Sequence, residues 1–517
     1  MLQRKGRLLD AVSRSFRASS HRLSEGEDAR FRRLQGIRSD LAALILRRPE
    51  GMDDDTYTDE VKRLRALSRN LESKLAKHRV YTGADLWMMA APTTVERVRP
   101  GIPPDAALVE FVLYRPFHPR ARTDAEVWGE PRYVAYALRR EGPPAWVDLG
   151  SAADLDGRIQ EFRRALSDPG RSDVRAPARR LDEAVLGPVR ALVGDARRLF
   201  VAPDGALNLV PLGALVDEQG RFLVERYRLH YLASGRDVIR AWISLNTPQP
   251  PLVVADPDFE QAGETPPAAP PSGLSRDMGA MRFQRLPGTA AEGRMLGELL
   301  RVEPLVRAGA AEPALKEVRS PVILHLATHG FFLDDPPRAV LGERGLQYEG
   351  TPSPARRTAA AENPLLRSGV ALAGANRRHS GDDDGILTAL EMASLDLSAT
   401  RLAVLSACQT GVGEVRNGEG VYGLRRALAI AGAQTQVISL WRVHDEATRV
   451  LMVAFYRRLM AGEGRTEALQ NTQLEMLRSE RWSHPFYWAS FIVSGNWRPL
   501  GKLPARQPGS GGPGAGK

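Results

Sequence analysis

Between residues 251 and 495 short apolar runs alternate with amphipathic stretches, and this alternation most constrains the fold. PLVVADPDF (251–259), VILHLATHG (322–330), SGVALAG (368–374), LAVLSACQTG (402–411), TQVISLW (435–441) and YWASFIVSG (487–495) read as strands, being short, apolar and rich in β-branched or aromatic residues. Between them GTAAEGRMLGELL (288–300), ILTALEMASL (386–395), GVYGLRRALAIAGA (420–433), EATRVLMVAFYRRLMAG (446–462) and RTEALQNTQLEMLRSE (465–480) carry apolar residues at helical spacing. Strands that are apolar throughout are covered on both faces. Alternating with helices, they predict an α/β fold with a largely parallel sheet flanked by helices over 250–500.

Upstream, ALVEFVLY (107–114), RYVAYALRR (132–140), AWVDLG (145–150), RLFVAPDGALNLVPLGAL (198–215) and YRLHYLAS (227–234) enclose two helical stretches near 152–167 and 177–193. They predict a smaller α/β unit over 100–245. Residues 1–86 place apolar residues three and four apart, which predicts a helical hairpin or short coiled coil whose apolar stripe is internal packing. EQAGETPPAAPPSGLSRD (260–277) and the Pro-rich 334–364 are long loops. Residues 502–517 form a Gly/Pro-rich tail expected to be disordered.

Composition narrows the chemistry. The 517 residues contain one cysteine, Cys408, which excludes a disulfide within the chain and a multi-cysteine zinc site. No apolar run approaches the roughly 18 residues of a membrane span, and the basic start has no apolar core or cleavage site of a signal peptide. A cytoplasmic location is the expectation. The net charge of +10 comes mostly from arginines spread along the chain, not from a Lys/Arg block with interleaved aromatics. No nucleic-acid partner, membrane, cofactor or metal is therefore called for.

Two buried-type strands end in reactive residues. VILHLA is followed by Thr-His-Gly with His329, and LAVLS by Ala-Cys-Gln-Thr-Gly with Cys408. Ligands of open α/β sheets bind beyond the carboxyl ends of the strands. A thiol nucleophile needs a nearby base or cation, and histidine is the usual supplier. The glycines that follow, Gly330 and Gly411, suit turns where a substrate approaches backbone. His325 and His329 have the four-residue spacing of helical zinc sites. In an extended strand, though, they lie about 13 Å apart, so His325 is expected to be a hydrogen-bonded core histidine. Asp382, Asp383 and Asp384, after Arg377 and Arg378, read as a solvated loop.

In this order, HLATHG, LSACQTGVGE, GEGVYGLRRALAIAGA, VISLWRVHDEATRVLM, FYRRL and HPFYWASFIVSG resemble the CHAT domain. CHAT is a bacterial caspase-like domain of the cysteine peptidase clan that also holds caspases, metacaspases and separase. The resemblance covers roughly 100–500. It implies a cysteine endopeptidase with a dyad of Cys408 and His329, and an oxyanion hole formed by the backbone N–H groups of Gly330 and Cys408. It also implies that VISLW lines the pocket for the residue before the scissile bond. Trp441 and Arg442 end that strand, and Arg442 would favour an acidic side chain whereas Asp256 and Asp445 would favour a basic one. The family commonly has Pro-Val-Asp-Asp after the tryptophan, where this chain has Arg442-Val443-His444-Asp445. Such domains take part in defence, cell death or signalling. They often follow tetratricopeptide repeats, but residues 1–86 show no 34-residue period, so either the sensor is reduced or the chain is part of a longer one. A protein substrate, and a protein regulator acting through the N-terminal helices, are the expected partners. A non-catalytic interaction scaffold is the alternative reading.

Overall fold

The computed structural model describes residues 25–46, 52–77, 93–120, 127–240, 247–260, 281–332, 364–380, 383–406, 414–416, 420–441 and 443–504. The rest of the 1–86 segment, most of the two long loops and residues 505–517 lie outside them.

The main sheet has eleven strands. In chain order they are β1 (Ala106–Tyr114), β2 (Arg132–Arg139), β3 (Ala145–Ser151), β4 (Arg198–Ala202), β5 (Arg228–Tyr231), β6 (Leu252–Pro257), β7 (Leu305–Arg307), β8 (Ile323–Ala327), then β12 (Leu402–Ser406), β15 (Thr435–Ser439) and β16 (Phe491–Gly495). Their spatial order is β3-β2-β1-β4-β5-β16-β15-β12-β8-β6-β7. β1, β4, β5 and β16 form one parallel block, and β15, β12, β8, β6 and β7 form another. The blocks meet in the antiparallel pair β15/β16. Segments 100–245 and 250–500 therefore share one sheet and one continuous apolar core, from Ala107 to Leu500.

The core follows from composition. Every residue of β8, β12 and β15 is buried, as expected for strands covered on both faces. Burying each Val, Leu or Ile contributes about 1.5–3 kcal/mol. The cover includes α3 (Ala152–Leu166), α4 (Arg175–Val185), α5 (Pro287–Leu300), α6 (Leu424–Ala431), α7 (Asp445–Met460) and α8 (Arg465–Leu477).

Several element readings change. Residues 420–433, read as a helix, begin with strand β14 (Gly420–Tyr422), which pairs with β13 (Glu414–Arg416), and the helix starts only at Leu424. Residues 386–395, read as a helix, begin with strand β11 (Ile386–Thr388), and a helical turn follows only at Ala389–Met392. Thr388 sets that start, because its Oγ1 accepts from the Glu391 N–H while the Glu391 carboxylate accepts from the Thr388 N–H. β11 belongs to a separate three-stranded antiparallel sheet with β10 (Ser368–Ala371) and β9 (Gly330–Phe332). In 487–495 only the second half is strand. Pro485–Trp488 forms a helical turn, capped by the His484 ring accepting from the Phe486 N–H.

The N-terminal hairpin, α1 (Glu25–Leu46) and α2 (Asp54–Lys77), packs on itself through Ile37, Leu41, Tyr57, Val61 and Leu64. Its apolar stripe also meets Leu366 and Leu390 of the body. Polar ties back this seat: Gln35 Nε2 donates to the Ser394 carbonyl (2.9 Å) and Arg38 to Ser394 Oγ (2.5 Å). Lys316 Nζ bonds Ser39 Oγ at 2.8 Å.

Candidate active site

The carboxyl ends of β15, β12, β8 and β6 lie side by side at one edge of the sheet. In the β8/β12 register Ala327 pairs with Ser406. His329 follows two residues after Ala327. Cys408, Gly411 and Arg442 lie outside the described residues.

Beyond β8 the chain turns into β9. Thr328 Oγ1 donates to the Ala371 carbonyl (2.5 Å), and the His329 carbonyl accepts from the Ala371 N–H (2.9 Å). That second bond makes the Gly330–Val370 pair a non-hydrogen-bonded one. The Gly330 N–H therefore points out of the ladder, away from β10, on a strand at the edge of its sheet.

The His329 ring packs against both Phe259 and Phe283, with centroids 5.4 and 5.6 Å away, and those two rings also touch each other at 5.9 Å. Its Nε2 lies 2.6 Å from the Gln284 carbonyl oxygen. A carbonyl only accepts, so Nε2 carries the hydrogen. The neutral ring then has its lone pair on Nδ1, the nitrogen that can take a proton. Sequence reasoning named no partner for the His329 ring; the Gln284 carbonyl is one, and a backbone carbonyl leaves no mark in residue identity.

The segment that carries Gln284 is held from three sides. The Asn376 side chain imitates a strand neighbour: Oδ1 accepts from the Phe283 N–H (2.8 Å) and Nδ2 donates to the Phe283 carbonyl (2.9 Å). Asp256, at the end of β6, receives both arms of the Arg285 guanidinium at 2.8 and 2.7 Å. The Asp445 carboxylate, at the start of α7, accepts from the Gly288 N–H (2.7 Å) in the first turn of α5, where an anion is favoured.

The pocket candidates from the sequence fall as follows. Asp256 is 4% exposed and adopts φ 46°, with Arg307 3.6 Å away as a second cation. Asp445 faces Gly288. Trp441 is buried, its indole N–H donating to the Phe486 carbonyl (3.2 Å). His325 is fully buried, with Nδ1 3.1 Å from the Tyr456 hydroxyl and Nε2 3.0 Å from Glu292 Oε1. That last approach is close but lacks hydrogen-bond alignment. His325 is thus a core histidine facing α5 and α7.

Glu312, Asp383 and Glu391 bring their oxygens together with the spacing of a metal site. Their cation is Lys316, whose Nζ lies 2.8, 2.7 and 3.1 Å from the three carboxylates. Asp383, expected in a solvated loop, is a member of this cluster.

These features define an α/β protein whose candidate chemistry sits at the carboxyl edge of adjacent parallel strands. The chain belongs to the CHAT domain family, which it matches over residues 175–496. Tetratricopeptide repeat protein 28 of Homo sapiens is 26% identical over 344 residues, covering 63% of this chain and 13% of that protein. The protein of that name in Mus musculus is 26% identical over 336 residues, 62% of this chain and 13% of the relative. The chain thus spans 13% of the length of these curated relatives. Among solved structures, the Saccharomyces cerevisiae separase–securin complex aligns with a TM-score of 0.41 and 8% identity, over 90% of this chain and 40% of that one. The Arg-specific cysteine proteinase gingipain R aligns with a TM-score of 0.34 and 9% identity, over 68% and 76%.

Proposed function

We propose that the chain is a cysteine endopeptidase working through Cys408 and His329. The observation that carries this reading is the register of the two strands: Ala327 pairs with Ser406, and the sequence places His329 and Cys408 each two residues further on. His329 Nδ1 takes the Cys408 proton. The thiolate attacks the peptide carbonyl carbon, and the oxyanion is met by the N–H groups of Gly330 and Cys408. Collapse breaks the C–N bond as His329 returns the proton to the departing amine. Water, deprotonated by Nδ1, then cleaves the thioester and regenerates the thiol. One preorganised oxyanion donor is worth about 3 kcal/mol, and positioned proton transfer roughly 10²–10⁴-fold.

Asp256 and Asp445 have their carboxylates bonded inside the protein, which leaves Arg442 as the charged group to select substrate. An acidic residue before the scissile bond is the expected preference. The hairpin, seated on Leu366 and Leu390, is the proposed receiver of a regulatory partner.

The test compares wild type and Cys408→Ala on fluorogenic peptides that vary the residue before the cleaved bond. Cleavage by wild type alone supports the peptidase. Equal cleavage by both overturns Cys408 as nucleophile. Silence from both, repeated with the hairpin deleted and with whole-proteome substrate, favours a non-catalytic scaffold.

A further inference from the structure

We infer that Asn376 and the Asp256–Arg285 pair are positioning residues for His329, acting through the Gln284 carbonyl. The inference rests on the dyad reading above and adds the groups that decide which nitrogen of His329 holds the hydrogen.

Gln284 is itself an exposed residue in a segment without regular secondary structure. Nothing in its own backbone would hold its carbonyl in one orientation. The residues on either side supply that. Phe283 is locked by two opposed hydrogen bonds to one amide side chain, which fixes the peptide planes before and after it. Asn376 is in turn held by its own N–H, which donates to the Phe259 carbonyl (2.9 Å), and by Nδ2, which reaches Glu260 Oε1 (2.6 Å). Arg285 is fixed by a two-armed ion pair to a buried carboxylate whose backbone is itself held at φ 46°. Asp445 pins the chain again at Gly288. Between these anchors the Gln284 carbonyl has one place to point, and the His329 Nε2–H is there. A planar ring with one nitrogen so fastened, and aromatic rings at 5.4 and 5.6 Å, has little freedom to rotate or exchange tautomers.

This assigns Asp256 a role other than charge selection. Its carboxylate acts three bonds of the network away from the reacting atoms, through Arg285, Gln284 and His329. Removing an anchor should leave substrate binding nearly intact and weaken proton transfer, because misplacement of about 1 Å costs up to roughly 10²-fold in rate.

The experiment reads the histidine directly, without substrate. The full chain carrying Cys408→Ala is labelled with ¹⁵N-histidine, and His329 is assigned by the signal lost in His329→Gln. Spectra are taken near pH 9, well above the ordinary imidazole pKa of roughly 6.5. The expected result is a single Nε2–H tautomer in the parent and a mixture of tautomers in Asn376→Ala. Arg285→Met, which releases the same segment from its exposed side, should do the same and carries the test if Asn376→Ala does not fold. With Cys408 restored, both variants should lose roughly ten- to a hundred-fold in kcat while KM stays within about two-fold. A pure Nε2–H tautomer retained in both variants overturns the inference. So does a loss confined to KM. Absence of any peptidase activity in wild type would sink the dyad reading alone, because the tautomer result stands or falls without it.

Discussion

Gly288 has no side chain because a neighbour fills the space: a Cβ built there would fall on the Asp445 carboxylate. Gly288→Ala should therefore destabilise the protein by about 1–3 kcal/mol, in the range of overpacking. Adding Asp445→Ala should restore part of the loss, and a urea-unfolding cycle of the two singles and the double measures that coupling. Additive losses would mean that the two residues do not meet. At this scale the sequence was readable where chemistry and strand position coincided. His329 announces itself as an imidazole at the end of an apolar run. Asn376 does not, since it acts on Phe283 from 93 residues away through contacts any amide or hydroxyl could make. Asp256 and Asp445 were visible as acids near strand ends, but Arg285 and Gly288, the partners that engage them, are revealed only by folding.

The hairpin α1–α2 is joined to the body through Lys316, which gathers Ser39 of α1 with Glu312, Asp383 and Glu391. Burial first, and Glu391 second, push Glu312 well above the usual carboxylate range, and Lys316 opposes them. Lys316→Met would leave three carboxylates facing one another without a cation, and removing one partner of a buried ionic group costs about 3–5 kcal/mol. Urea unfolding should register that loss, and amide exchange should rise first in Glu25–Leu46. Unchanged exchange there would mean that the apolar contacts alone seat the hairpin. The pH sign follows from the shift of Lys316. Burial lowers it, but Glu391, Glu312 and Asp383 together outweigh that and raise it above its ordinary value. Its contribution is complete below roughly pH 10.4 and is lost as pH climbs through the folded-state value. The Met variant should lack that alkaline step. At the scale of elements, periodicity found the central strands because buried parallel strands are apolar throughout, and missed β7, three residues long and not fully buried. It overran β11 because Ile386-Leu387-Thr388 also fits a helical pattern, and Thr388 marks the boundary by a capping exchange that needs coordinates to see.

Across the whole molecule, the first block of the sheet holds a buried histidine, His230 of β5, stacked 4.8 Å from Phe200 with Nδ1 3.0 Å from Thr466 Oγ1. Burial chiefly, and then Arg198 and Arg228, hold it well below the usual imidazole value. It stays neutral in the folded protein while the unfolded chain takes up a proton below roughly pH 6.5. Its share of stability is therefore present above that pH and lost as pH falls beneath it, with a slope of up to about 1.4 kcal/mol per unit. His230→Gln should flatten stability against pH between about 6.5 and 4 relative to wild type. Parallel curves for the two proteins would assign the acid sensitivity to other groups.

The position of β16 bears on how such a protein comes into being. This strand follows all the others along the chain, yet it sits in the middle of the sheet, with β5 on one side and β15 on the other. A ribosome would have made the hairpin, the other ten strands of the sheet and Cys408 before this strand, which joins β5 to β15, is added. Until then each block presents a raw edge of unpaired backbone, the kind of surface that chaperones shield and that aggregates when left bare. If the edge that carries His329 needs both blocks to hold it, that edge takes its final form only after residue 495 has been made and folded into place.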